Sequence, residues 1–161
     1  MQHVAIYTDG GCLGNPVPGG YGAILVYGQH CRELSGGYRH TTNNRMELIA
    51  CIVALVALKR QCAVTIYSDS KYLVDGISKG WAVKWKRNNW RRSGGGRAEN
   101  ADLWEQLLSL TEMHQVNFLW VKGHNGHQEN ERCDQLAKDA ANGSELLEDA
   151  GYIAREAVAL A

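Results

Sequence analysis

The chain has 161 residues, 45% hydrophobic and 21% charged, and seventeen Lys and Arg balance seventeen Asp and Glu. That length suits one domain with a single core, and the composition is that of a folded globular chain, which argues against a disordered, fibrous or membrane-spanning class. The five cysteines, Cys12, Cys31, Cys51, Cys62 and Cys133, are odd in number, scattered and never spaced C-x-x-C, so neither a disulfide framework nor a zinc site is expected.

The neutral total conceals an uneven distribution. Between Gly76 and Ala98 lie Lys79, Lys84, Lys86, Arg87, Arg91, Arg92 and Arg97 with no Asp or Glu among them. From Ser144 onward, Glu145, Glu148, Asp149 and Glu156 are opposed only by Arg155. Dense charge of one sign repels itself unless an anion is bound, so the first stretch is a candidate nucleic-acid contact and the second an acidic tail. The N-terminus, "MQHVAIYTDGG", lacks the basic start, apolar stretch and cleavage site of a signal peptide, and with free thiols this makes a cytoplasmic location the expectation.

In chain order, residues 3–8, 21–28 and 31–38 are rich in β-formers and separated by glycine-bearing turns, which predicts three strands in an antiparallel meander. Residues 43–60 place Met46, Ile49, Ile52, Val53 and Val56 at helical spacing and predict a central helix. A strand over 64–68, helical stretches near 70–79 and 81–88, and a glycine loop "SGGGR" come next. A helix near 101–112, a strand over 116–121 and a helix over about 128–142 complete the pattern. Residues from Ser144 read as a loosely attached tail. The fold class is α/β with α+β character: a five-stranded mixed sheet, three antiparallel strands first, helices packed on both faces.

Four carboxylates stand at telling places. Asp9 ends the first strand and Asp69 the fourth, and in open sheets sites form where strands end and connections diverge. Glu47 lies one turn into the central helix and Asp134 on the last one, after the loop "KGHNGHQENER". Each has a plain alternative: Asp69 as a helix cap, Glu47 as a complement to the helix dipole, Asp134 as a surface residue. After Asp9 the stretch "GGCLGNPVPGG" offers glycines for close backbone approach, while Pro16 and Pro18 restrict the loop. It contains no G-x-x-x-x-G-K-[ST], which disfavours a phosphate-cradling loop of that type.

Together "YTDGGCLGNPVPGGYG", "TTNNRMELIA", "YSDSKYLVDGI" and "WVKGHNGHQENERCDQLA" resemble bacterial type 1 ribonuclease H in order, spacing and wording, from about residue 3 to Tyr152. The resemblance implies the ribonuclease H fold and hydrolysis of the RNA strand of RNA/DNA hybrids, giving 3′-hydroxyl and 5′-phosphate ends. It carries Asp9, Glu47, Asp69 and Asp134 over as ligands of two Mg²⁺ ions, with Mn²⁺ as a possible substitute, and His124 as a proton-transfer or product-release residue. A cluster of carboxylates with no Cys or His suits a hard cation, and two such ions about 4 Å apart can activate water and stabilise both attacking and leaving oxygens.

By the same resemblance the segment 79–98 is a basic protrusion gripping the DNA strand through Trp81, Trp85, Lys86, Arg87 and Trp90, with Trp85 against a deoxyribose. Packing into one helix face stays open for Trp81 and Trp90. The backbone around Cys12 and Asn15, and the side chains of Asn43, Asn44 and Glu47, would meet RNA 2′-hydroxyls, with helix capping an open alternative for the Asn pair. Thr42 would meet a DNA phosphate. Lys71 follows Ser70 where the family commonly has Gln, so one hybrid contact becomes a candidate phosphate ion pair. The boundaries drawn from this are a catalytic domain over 1–143, with the protrusion inside it, and an acidic tail over 144–161, acting as a monomer without a membrane partner. Two rival readings are a hybrid-binding module without catalysis and a DNA nuclease of the same fold.

Overall fold

The computed structural model describes residues 1–14, 17–92, 94–123 and 127–154. Strand β1 (Gln2–Cys12) turns into β2 (Val17–Tyr27) and β3 (His30–Thr41), the expected antiparallel meander. Helix α1 (Asn43–Val56) leads to β4 (Cys62–Ser68), α2 (Lys71–Ser78), α3 (Trp81–Arg87) and α4 (Ala101–Met113). Then come β5 (Gln115–Trp120), α5 (Gln128–Ala141) and a two-residue strand β6 (Leu146–Leu147). The sheet order is β5-β4-β1-β2-β3-β6, with β4 parallel to β1 and β5 parallel to β4.

Along β1 the side chains alternate as a half-covered strand requires: Val4, Ile6 and Thr8 are buried, whereas Ala5, Tyr7 and Asp9 are half-buried. Helix α1 lies on the first set, where Thr8 Oγ1 is 3.7 Å from Cys51 Sγ, and α2 and α4 flank it. Helix α5 covers β1 to β3 from the other face. Ile6, Ile66, Met46, Leu48, Leu55, Leu73, Trp104 and Leu107 are fully buried between these layers, each stabilising the fold by about 1.5–3 kcal/mol.

Glycines set how closely the helices approach. A Cβ at Gly10 would lie 2.5 Å from the Met46 carbonyl carbon and 2.7 Å from Glu47 N, so α1 presses its backbone onto β1 there. On the other face, a Cβ at Gly22 would lie 2.5 Å from Cys133 O of α5. The glycine after Asp9 therefore makes room for a helix.

Three boundaries differ from those the sequence predicts. Strand β1 runs through Asp9 to Cys12, because β2 keeps pairing with it as far as Cys12↔Gly19. Helix α1 stops at Val56 although Leu58 continues its apolar pattern; Leu58 packs against the core from the following turn, and periodicity cannot separate these cases. The C-terminal stretch is no loose tail over its described part. Leu146 and Leu147 pair with Gly37 and Tyr38, Asp149 is only 4% exposed, and residues 150–154 form a helical turn that buries Tyr152. Acidic composition suggested solvent, but Asp149 is neutralised inside the protein.

Candidate active site

The parallel ladder between β1 and β4 ends at Tyr7↔Tyr67, whose rings stack at 4.8 Å. Two residues beyond each of these tyrosines stand Asp9 and Asp69, on the same face by the period of two. Beyond that point β1 continues beside β2 while the segment after β4 turns into α2, with Ser70 capping it through Leu73 N. Glu47 enters from α1, past the bare Gly10. One carboxylate oxygen from each of Asp9, Glu47 and Asp69 lies within 4.8 Å of the other two.

The fourth acid borders this trio rather than joining it. Asp134 on α5 interacts with Asp9 but also pairs with Lys138 one turn on, Oδ2 to Nζ 2.9 Å. It shares with the trio an open groove of about 380 Å³, whose wall includes Cys12, Asn43 and Asn44. His127, at the start of α5, lines the neighbouring cavity with Asp9, Asp69 and Asp134 and is exposed.

The trio is electrostatically unresolved. Burial, then the charges of Asp69 and Asp134, push the Asp9 carboxyl up to about 8, against a single favourable hydrogen bond from Gly10 N at 3.0 Å. Glu47 is only 7% exposed; burial foremost, then Asp9 and Asp69, hold its carboxyl well above the ordinary range. Its Oε1 is buried with no hydrogen-bond partner among the described residues. A divalent cation fits this donor set: all oxygen, crowded carboxyl groups that a cation would let ionise together, and one atom short of a partner.

Neighbouring residues fix these acids in ways the sequence did not announce. Trp120 donates its indole N–H to the Asp69 carbonyl at 3.1 Å, and Lys71 Nζ lies 4.8 Å over the Trp120 ring. In this structure Lys71 stands on an aromatic face beside Asp69. Thr42, not the Asn pair, caps α1: its Oγ1 accepts the Arg45 N–H at 3.2 Å with φ −128° and ψ 162°. Asn43 and Asn44 are the first helical residues, and Asn43 Oδ1 accepts the Cys12 N–H at 2.7 Å. That bond ties the Cys12 backbone to the first turn of α1. Burial pushes the Cys12 thiol up to about 11, so it stays neutral near pH 7. Asn15 and His124, named from the sequence, lie outside the described residues.

The protrusion is anchored by its aromatic residues. Trp85 meets Trp104 edge-on at 6.2 Å between centroids, and Trp90 also packs against the core. Trp90 does so at φ 61°, a backbone state costly for a bulky residue, held by its N–H to Trp85 O and its carbonyl to Ala98 N. Trp81 is exposed, with Lys79 Nζ 5.3 Å above its ring. Packing thus accounts for Trp90, as the open alternative allowed, and for one edge of Trp85, but not for Trp81. Lys84, Lys86, Arg87, Arg91 and Arg92 are all exposed.

A strand-end group of carboxylates facing a groove, on a mixed sheet with helices on both faces, is the layout of a hydrolase that works on anionic substrates. The sequence model of the RNase H family matches residues 1–142. The chain is 59% identical over 152 residues to the ribonuclease H of Syntrophus aciditrophicus, covering 94% of this chain and 88% of that protein. It is 59% identical over 151 residues to that of Rippkaea orientalis, covering 94% and 93%. Among solved structures, LC9-RNase H1, a type 1 RNase H with the type 2 active-site motif, superposes with a TM-score of 0.80 at 32% identity, covering 99% of this chain and 84% of that one. The chain belongs to the ribonuclease H family and is a nuclease of that family. No helix among the described residues is long and apolar enough to cross a membrane.

Proposed function

We propose that the protein hydrolyses the RNA strand of RNA/DNA hybrids with two Mg²⁺ ions, Mn²⁺ substituting, and leaves 3′-hydroxyl and 5′-phosphate ends. The observation that carries this reading is the trio of carboxylates within 4.8 Å of one another, one of whose oxygens is buried without a partner. Asp9, Glu47 and Asp69 would hold the metal, and Asp134 would complete the set from the groove edge. Bound divalent ions supply a water deprotonated near neutral pH and charge stabilisation on the attacking and leaving oxygens.

The protein's own residues supply place and selection. Asn43 and Asn44 line the groove beside the trio, where side-chain amides can test for a 2′-hydroxyl. The exposed Lys84, Lys86 and Arg87 would meet phosphates of the opposite strand, positioning the duplex without reading its sequence. Trp81 and the outward part of Trp85 would contact its sugars, Thr42 a DNA phosphate, and Lys71 a phosphate next to the scissile one. We assign His124 to proton transfer or product release. The unit acts as a monomer in the cytoplasm; sedimentation showing a dimer at low concentration would refute the first part.

The test is cleavage of a duplex with one labelled RNA strand and one DNA strand, beside RNA/RNA and DNA/DNA duplexes, with Mg²⁺ or chelator, for the wild type and Asp9→Asn. Metal-dependent loss of RNA from the hybrid only, abolished by the substitution, supports the reading. Tight hybrid binding without cleavage would leave a binding module instead, and equal cutting of duplex DNA would leave a DNA nuclease.

A further inference from the structure

On α1, away from the groove, the Arg45 side chain is 2% exposed and every one of its N–H donors is engaged. Nε and Nη2 reach the two oxygens of Asp149 at 2.7 and 2.9 Å. Nη1 and Nη2 reach the two oxygens of Asp102 at 2.9 and 2.7 Å, and Nη1 also donates to Asn100 Oδ1 at 3.3 Å. Asp149 accepts in addition from Thr41 Oγ1 at 2.6 Å and from Tyr152 N at 3.4 Å. Asn100 passes the connection on to Tyr72 Oη at 3.1 Å, on α2, two residues beyond Ser70.

Two of these contacts bracket the start of α1. Thr41 immediately precedes the capping residue, and Arg45 lies three residues after it. One carboxylate from the C-terminal segment thus grips both sides of the turn that carries Asn43 and Asn44 and leads into Glu47. It lies beyond residues 1–142, the stretch the family model matches.

Stability alone is a poor reason for such a cluster. Burying a cation with two anions costs desolvation, and apolar residues of similar volume hold a core as well or better. A bidentate guanidinium fork adds direction: it fixes the rotation and depth of the helix that bears it. Metal ligands need that control, because a site must hold its geometry to within about 0.5 Å.

We propose that Asp149, acting through Arg45 and Thr41, is a positioning residue that sets Glu47 against Asp9 and Asp69, so that the C-terminal segment tunes the affinity of the carboxylate trio for a divalent cation. This rests on the metal-site reading above. The ligands stay in place when the clamp is cut, but their mutual distances are no longer fixed before the cation arrives.

The experiment uses the full chain as wild type, Asp149→Asn and Thr41→Val, each first shown to be folded by circular dichroism at the working temperature. Mg²⁺ binding is measured by calorimetry without substrate, and amide hydrogen exchange of residues 43–47 is followed without metal. Asp149→Asn should raise the Mg²⁺ dissociation constant about ten-fold, the scale on which groups behind a metal ligand act, and speed exchange at 43–47. Thr41→Val, which removes one hydroxyl from the clamp, should move both readouts the same way by less, and it decides the matter if Asp149→Asn does not fold. Unchanged dissociation constants in folded variants of a wild type that binds Mg²⁺ overturn this proposal alone. A wild type that binds no Mg²⁺ overturns the metal-site reading and this proposal with it.

Discussion

Two ionic clusters, each with one buried member on α1, differ in how their charge is met. Around Arg45, one guanidinium faces Asp102 and Asp149, and all of its donors are used. Around Glu47, three carboxylates face one another, and one oxygen has no partner among the described residues. The first cluster is finished by the polypeptide itself. The second is left for something positive from outside, and the contrast separates a structural ion group from a site more clearly than acidity does.

Breaking the open cluster should have the largest effect. Asp9→Asn removes one carboxylate of the trio, and cleavage of the hybrid should fall by at least about 100-fold, the scale for losing one group that stabilises reaction charge. A steady-state assay at saturating Mg²⁺ checks this, and a loss under about three-fold would remove Asp9 from the machinery.

Breaking the closed cluster should cost folding. Asp149→Asn leaves Arg45 paired with the half-exposed Asp102 alone, and urea unfolding should show a loss of about 3 kcal/mol. Asp102→Asn should cost less, since Asp102 is 44% exposed and water can take its place.

The pH dependence distinguishes the clusters without any substitution. The folded protein holds protons on Asp9 and Glu47 that the unfolded chain releases above its ordinary carboxyl range, so unfolding releases protons. Metal-free stability should therefore fall as pH rises from about 4 to about 8, by about 1.4 kcal/mol per pH unit for each extra proton the folded state retains. Saturating Mg²⁺ should flatten that slope and raise Tm most at the alkaline end, and Asp9→Asn should flatten it without metal. Thermal melts across this range, with and without Mg²⁺, would show it; a metal-free protein steadily more stable towards pH 8 would contradict the raised carboxyls.

Lys71→Gln should have the smallest effect. Losing the charge over Trp120 costs about 0.5–1 kcal/mol at an exposed site, with a slight loosening of the Asp69 carbonyl. A Tm shift of several degrees would mean that Lys71 bears more of the local structure than this contact accounts for.

Local signals in the chain were sufficient for the meander, the central helix, the later helices and strands, and the candidacy of all four acids. Alternation and helical spacing are local properties, and a carboxylate next to a strand end is visible as soon as the strand is. Capping was legible only in part, because Thr42, Asn43 and Asn44 all have cap chemistry and the choice depends on which residue takes extended backbone angles. Gly10 read as loop freedom until the helix above it was placed, and Gly22, inside a predicted strand, gave no sign of the close approach of α5.

The amino-acid sequence by itself determined the elements, the free thiols, the basic stretch after Gly76 and the set of acids. Tertiary structure decided what those acids do to one another. Asp9 and Asp69 meet because parallel strands bring residues sixty positions apart into one register, and Glu47 joins them because α1 can press against a bare glycine. It also turned an apparently loose acidic tail into the clamp on Arg45, whose partners lie 57 and 104 residues away. Charge and periodicity are written residue by residue, but whether a charge is answered depends on distances in space, and only the folded chain sets those.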